Sequence, residues 1–262
     1  MTQSQRFNDH FDTTLEDAYV IDYGETKALY FDGRNVQSSM RVDDPNALAF
    51  GYTRAMMGFL LFQPAPRDIL IVGLGGGSLS KYCYHELPEC TVTTVELSAA
   101  VIGLRDEFAI PSDNERFRVV HADASLYMRN QCETADVILL DGFDPYGLPD
   151  ALTSQVFYDA CFRALRPGGV LSANLWGADI QLRACFSRIS HSFEQRLLRA
   201  KSETSDNDIA FGLKHVALPE WHDLQARARH LQRETAMNFT DLLDQLWQSA
   251  HDRNGNCWLV ND

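Results

Sequence analysis

The sequence contains no apolar run of the roughly 18 residues that crossing a bilayer requires. Its opening stretch, MTQSQRFNDHFDTTLEDAY, is polar and acidic, unlike a secretory signal. A membrane protein is therefore not expected, and the cytoplasm is the expected location. Cysteine is sparse and scattered: Cys83, Cys90, Cys132, Cys161, Cys185 and Cys257 form no C-x-x-C pair and have no histidine at zinc-ligand spacing. Neither a disulfide framework nor a metal site is expected, and the thiols read as reduced packing residues. Positive charge is also short, with 23 Lys and Arg against 36 Asp and Glu and a formal net charge of −13. Such a balance opposes the phosphate backbone of nucleic acids and suits a cationic small molecule. Internal repeats and low-complexity stretches are missing as well. What is present is an ordinary globular composition, 262 residues with 45% hydrophobic and 23% charged. That is enough for one α/β domain with a small accessory unit.

Residues 18–42 alternate apolar and polar around two turns, Gly24-Glu25 and Asp32-Gly33, which predicts a small antiparallel meander. In NALAFGYTRAMMGFLLF, Leu48, Met56, Met57, Leu60 and Leu61 fall at near-helical spacing, and Pro64 and Pro66 end the segment. From Asp68 onward, five apolar segments (DILIV, TVTTVEL, FRVVHAD, ADVILLD and GVLSANLW) are separated by helix-length stretches. This is the pattern of a βαβ series whose parallel strands are covered on both faces. EQRLLRAK and DIAFGLKH are joined by SETSDN, too short for a crossover helix, so they should form a closing antiparallel pair. Residues 219–250 are charged and helical. The expected fold is α/β, a doubly wound, Rossmann-like, mostly parallel sheet with a short N-terminal β unit and a C-terminal helical extension. Divisions are expected at 1–66, 67–217 and 218–262.

The stretch ILIVGLGGGSLSKY places Gly73, Gly75, Gly76 and Gly77 between an apolar strand and a helical segment. Glycines there permit positive φ and let a ligand approach backbone N–H groups at a helix N-terminus. Glu96 ends the next strand, 19 residues after Gly77, where a carboxylate can accept hydrogen bonds from both hydroxyls of a ribose. Asp123, in HADA with Ala124, ends the third and is placed to accept from an adenine amino group. Gly-Lys-Ser/Thr is missing from the loop, which excludes a P-loop nucleotide site. These three elements describe a nucleoside site that an NAD or an S-adenosyl compound could fill.

ADVILLDGFDPYGLP is the most informative stretch. Asp141 ends an apolar strand, and Asp144 follows in a loop with Gly142, Pro145, Tyr146 and Gly147. Two carboxylates converging there can hold a cationic amine and take its proton before attack. The position of Asp123 and this chemistry favour an S-adenosyl sulfonium over NAD.

Together, VGLGGGSLSKY, VELS, HADA and VILLDGFDPYGLPDALTSQVFYDACFRALRPGGVLSANLW resemble the spermidine synthase (polyamine aminopropyltransferase) family, built on the class I methyltransferase fold. The match runs from about residue 30 to 215. Its most specific part is Asp-Gly-Phe-Asp-Pro, followed by Phe157-Tyr158 and Arg166-Pro167-Gly168-Gly169.

The resemblance implies that Asp141 acts on the attacking amine and that Asp144 helps bind it, with Tyr52 and Tyr146 orienting the acceptor. It also implies a ribose role for Glu96, an adenine role for Asp123 and a donor site completed by Gln37 and Ala124. Decarboxylated S-adenosylmethionine, or S-adenosylmethionine itself, is the expected co-substrate, with an amine or polyamine as acceptor, no metal and a homodimeric assembly. Three departures stand out. Gly76 replaces the acid of the family's G-G-G-D-G-G loop. Asp32-Gly33-Arg34-Asn35-Val36-Gln37 is one residue longer than the family's D-G-x-x-Q. Tyr52-Thr53-Arg54 replaces Tyr-His-Glu, setting a cation where an acid lines the amine pocket and arguing against plain putrescine as acceptor. Two alternatives use the same residues: an S-adenosylmethionine-dependent methyltransferase of a small molecule, which Arg54 would serve by pairing with a carboxylate, and a catalytically silent nucleoside-binding protein.

Overall fold

The apolar runs pair into two sheets in the computed structural model of the chain, which describes residues 18–31, 36–144, 147–217 and 219–250. A three-stranded antiparallel meander comes first: β1 (Tyr19–Asp22), β2 (Thr26–Tyr30) and β3 (Ser38–Arg41). Helix α1 (Gly51–Met56) runs into a 3₁₀ turn (Met57–Leu61). The main sheet then begins with β4 (Asp68–Val72), and α2 (Ser78–Glu86) leads to β5 (Thr91–Glu96). Next come α3 (Ala99–Gly103), β6 (Phe117–His121), α4 (Ala124–Tyr127) and β7 (Ala135–Leu140). Helices α5 (Asp150–Thr153) and α6 (Gln155–Ala164) precede the long β8 (Leu165–Trp176). After α7 (Leu182–Ser192), the hairpin of β9 (Leu197–Lys201) and β10 (Asn207–Leu213) closes the sheet. Helices α8 (Trp221–Thr235) and α9 (Phe239–Ala250) end the described chain. They part at Ala236, a residue in the left-handed region (φ 56°) that stops α8.

The main sheet has seven strands in the order β6-β5-β4-β7-β8-β10-β9. Strands β6 to β8 run parallel, and β10 is antiparallel to both β8 and β9. Every residue of β7 is buried, as a central parallel strand covered on both faces must be. One core, including Met56, Phe59, Leu79, Phe211 and Leu243, packs α1, α2, α8 and α9 on one face. On the other face a second core, including Leu140, Leu152, Phe157, Leu171 and Ile189, packs α5, α6 and α7.

Strand β8 starts four residues before the apolar pattern predicts, because Arg166-Pro167-Gly168-Gly169 is anchored rather than looped. The Arg166 guanidinium lies 2.8 Å from Asp68 and 3.1 Å from Asp136, joining the amino ends of β4, β7 and β8. Gly168 N–H donates to Lys214 O, and Lys214 N–H to Gly169 O, so the ladder with β10 continues through the turn.

Winding reverses direction between β4 and β7, and a crevice opens beyond the carboxyl ends of the strands at such a switch point. Register puts Leu140 opposite both Val72 of β4 and Ala173 of β8, so the next residue on each strand meets its neighbours there. Those residues are Gly73, Asp141 and Asn174.

Candidate active site

Gly73 is what lets the two central strand ends approach. Its φ is +94°, and a Cβ built on it would stand 2.2 Å from the Asp141 carbonyl oxygen. No other residue fits that backbone and that gap. Beside it, Leu74 N–H donates to Glu96 Oε2 and Ser98 N–H to Glu96 Oε1, both at 2.8 Å. Glu96 therefore ties the glycine turn to the end of β5. Burial pushes its carboxyl above the usual range, and the N–H donors pull it back.

Asp123 caps α4 through Oδ1, which accepts from Ser125 N–H at 2.7 Å and Leu126 N–H at 3.4 Å. Oδ2 takes no part in the cap, and the neighbouring Ala124 is buried. Gln37 is half-buried and immediately precedes Ser38, whose side chain lies against the glycine turn. Residues 32–35, which carry the rest of that motif, lie outside the described residues.

The fit between Ser38 and the turn explains the first departure from the family pattern. A Cβ at Gly76 would meet Ser38 Oγ at 2.7 Å and Phe108 Cδ1 at 2.9 Å, so the acid expected there has no room. Gly76→Ala is expected to cost about 1–3 kcal/mol of stability by overpacking, read from the midpoint of denaturant unfolding. An unchanged midpoint would show that Ser38 and Phe108 move aside.

At the fourth strand end, the Asp141 carboxylate is held from two sides. Asn174 Nδ2 donates to Oδ1 at 2.8 Å, and the Tyr52 hydroxyl to Oδ2 at 3.3 Å. Asn207 Nδ2 donates in turn to Asn174 Oδ1 at 2.9 Å, completing a chain of amides from β10 to the carboxylate. Tyr52 reaches it from α1, stacked on Phe50 with ring centroids 5.8 Å apart. Burial pushes the Asp141 pKa up to about 6, and the hydrogen bonds from Asn174 and Tyr52 restrain the rise. The same surroundings, with the carboxylate beside it, hold the Tyr52 hydroxyl well above the usual phenol range. At neutral pH the pair is thus a carboxylate and a phenol, a base with a fixed donor beside it.

Asp144 closes a tight turn, its N–H donating to Gly147 O at 2.9 Å and its carbonyl accepting from Gly147 N–H at 3.2 Å. Tyr146 lies outside the described residues. Arg54 is not where the sequence reading sets it. Two residues from Tyr52 on a helix, it points to the opposite side. Its guanidinium donates to Glu203 at 3.0 and 3.2 Å, and to the carbonyls of Leu48 and Ala49. The cation is thereby paired outside the cleft, and the argument it supplied against a plain diamine falls away. Among the described residues, no cluster of His, Cys, Asp and Glu is arranged to hold a metal ion.

Asn174 and Asn207 escaped the sequence reading. The available signal was Asn174 itself, the single amide within the mostly apolar run GVLSANLW, buried in the fold. A buried amide needs partners, and its position at a strand end next to an acid names one.

Sheet order and switch-point crevice define a Rossmann-like fold of the class I methyltransferase type. Solved structures share it: a probable spermidine synthase from Corynebacterium glutamicum aligns with a TM-score of 0.68 over 83% of this chain and 82% of its own, at 22% identity. A spermidine synthase in complex with the transition-state analogue AdoDATO aligns at 0.63 over 87% and 84%, at 21% identity. In sequence, residues 49–184 match the profile of the Spermine/spermidine synthase domain family. The polyamine aminopropyltransferase of Chromobacterium violaceum is 32% identical over 92% of this chain and 94% of its own. That of Neisseria meningitidis is 33% identical over 90% of each. The chain belongs to the spermine/spermidine synthase family of transferases.

Proposed function

We propose that this protein transfers the aminopropyl group of decarboxylated S-adenosylmethionine to an amine acceptor. The observation that carries the reading is the placement of Asp141. It is a carboxylate with a raised pKa, fixed by Tyr52 and Asn174, one strand away from the glycine turn and two from Glu96. In this reading Glu96 takes the ribose hydroxyls, Asp123 the adenine amino group, and residues 73–77 and Gln37 border the rest of the donor. Asp144, with Tyr52 and Tyr146, orients the acceptor.

The amine nitrogen attacks the methylene next to sulfur, in line with the C–S bond. A C–N bond forms, the C–S bond breaks, and its electron pair leaves with methylthioadenosine. The proton released by the attacking amine passes to Asp141. No covalent intermediate with the protein is needed, because the sulfonium is already a good leaving group. The protein contributes alignment, a base and an anionic lining. Family resemblance supports a homodimer, which light scattering tests, and the cytoplasm as its place of action. Among the described residues, no helix is long and apolar enough to cross a membrane.

The test is a transfer assay with decarboxylated donor and a panel of linear diamines and polyamines, read by mass spectrometry. Methylthioadenosine and aminopropylated amine should appear in equal amounts. Methyl transfer from intact S-adenosylmethionine, with S-adenosylhomocysteine as co-product, would establish the methyltransferase alternative instead.

A pH profile checks the base. Because Asp141 must be ionised to accept the proton, kcat should fall on the acid side with a midpoint near pH 6 rather than near 4. A profile flat down to pH 4.5 would remove Asp141 from the role.

A further inference from the structure

Two groups touch the Asp141 carboxylate, and one element holds both of them. Asn207, the first residue of β10, donates to the amide of Asn174. On the turn before it, Thr204 Oγ1 accepts from the N–H of Gly51 at 3.1 Å, the first residue of α1. Glu203 pairs with Arg54 of the same helix at 3.0 Å. The turn also fits Gly51 closely, since a Cβ there would stand 2.6 Å from Thr204 Oγ1. One hairpin therefore grips the helix that presents Tyr52 and the amide that presents its N–H to the base. Nothing in the transfer chemistry itself calls for these contacts.

We propose that the β9–β10 hairpin is the positioning element for Asp141, acting through Asn207 on Asn174 and through Thr204 and Glu203 on α1. Without Asn207, the Asn174 side chain loses the bond that fixes which of its ends faces the carboxylate. Its carbonyl then competes with its NH₂ for that place, and the carboxylate loses a donor. With Thr204 gone, the first N–H of α1 has no acceptor and Tyr52 loses its fixed distance. Tyr52 from α1 is the titratable group bonded to the Asp141 carboxylate. On the hairpin, Glu203 is paired with Arg54, and Asp208 with Arg199 and Lys201. Glu203, Thr204 and Asn207 are thereby positioning residues for the transfer proposed above, and this inference rests on that reading for its catalytic meaning.

The decisive measurement is the titration of the Asp141 carboxyl by ¹³C NMR on aspartate-labelled protein, assigned with Asp141→Asn. Asn207→Ala should move that titration upward by about one unit, the size expected when a donor to a carboxylate is lost. Asn207→Ser, which keeps a donor, should recover part of the shift and covers the case in which the alanine variant fails to fold. In an Asn174→Ala background, Asn207→Ala should move nothing further. Thr204→Val, isosteric and uncharged, should shift the titration in the same direction through the α1 arm. The acid limb of kcat should follow the carboxyl in each variant while KM for the donor stays put. An unchanged titration in Asn207→Ala, or a shift that persists undiminished without Asn174, would overturn the proposal. Methylthioadenosine binding on the same samples keeps the two ideas apart. Its absence would defeat the transfer reading, while the carboxyl titration would still decide the hairpin's role.

Discussion

Asp141→Asn is expected to lower kcat by about 10²- to 10⁴-fold, the usual contribution of a general base, with affinity for methylthioadenosine nearly unchanged. The amide occupies the same volume and can still accept from Asn174, so the crevice persists while the proton acceptor is gone. The same variant should be more stable than the parent at pH 8. Asp141 has a folded-state pKa of about 6, above the unfolded value, so its favourable contribution exists at low pH and is lost as pH rises through 6. Removing the charge recovers up to about 3 kcal/mol at pH 8 and little at pH 4. Thermal unfolding at the two pH values, run beside single-turnover kinetics, checks both halves. Full activity, or a fold lost at pH 8, would sink the assignment of Asp141 as base.

Glu96→Gln should weaken methylthioadenosine binding by about 1.5–3 kcal/mol, some 10- to 150-fold, measured by titration calorimetry. The geometry makes this substitution harsher than its size suggests. Both Glu96 oxygens accept backbone N–H bonds, from Leu74 and from Ser98. A glutamine supplies one acceptor oxygen and must turn its NH₂ toward the other donor. One N–H of the glycine turn or of the α3 cap is left without a partner, and the ribose loses a charged acceptor at the same time. An affinity equal to the parent's would mean that the nucleoside lies elsewhere.

Strand identity was legible because each βαβ strand is covered on both faces and reads as a continuous apolar run. Length alone separated the crossover segments from the closing hairpin, since SETSDN cannot span a helix. That Gly73, Glu96 and Asp123 gather at one edge was legible for a related reason: each stands at a strand end, and parallel strands bring their ends together. Arg54 stands where the family pattern has a pocket residue, yet its guanidinium pairs with Glu203. Its partner Glu203 lies 149 residues away in sequence, a contact that no local spacing reveals. Asn207 was hidden in the same manner, in a turn where polar residues are ordinary. What the pattern cannot carry is which polar side chains meet across the edge strands, because that depends on register between elements far apart in the chain.

The junction of Gly73 and Asp141 has a consequence for how this scaffold diversifies. The two halves of the reaction are built on opposite sides of that seam. In the proposed reading the nucleoside half rests on the ends of β4, β5 and β6, and the proton-accepting half on β7, β8, β10 and α1. They meet along the β4–β7 ladder, which ends where Asp141 N–H donates to Val72 O and Gly73 lets the two backbones touch. In that reading a change of acceptor falls to the α1 and hairpin side, whereas enlarging position 73 would press on the Asp141 backbone and disturb both sides at once.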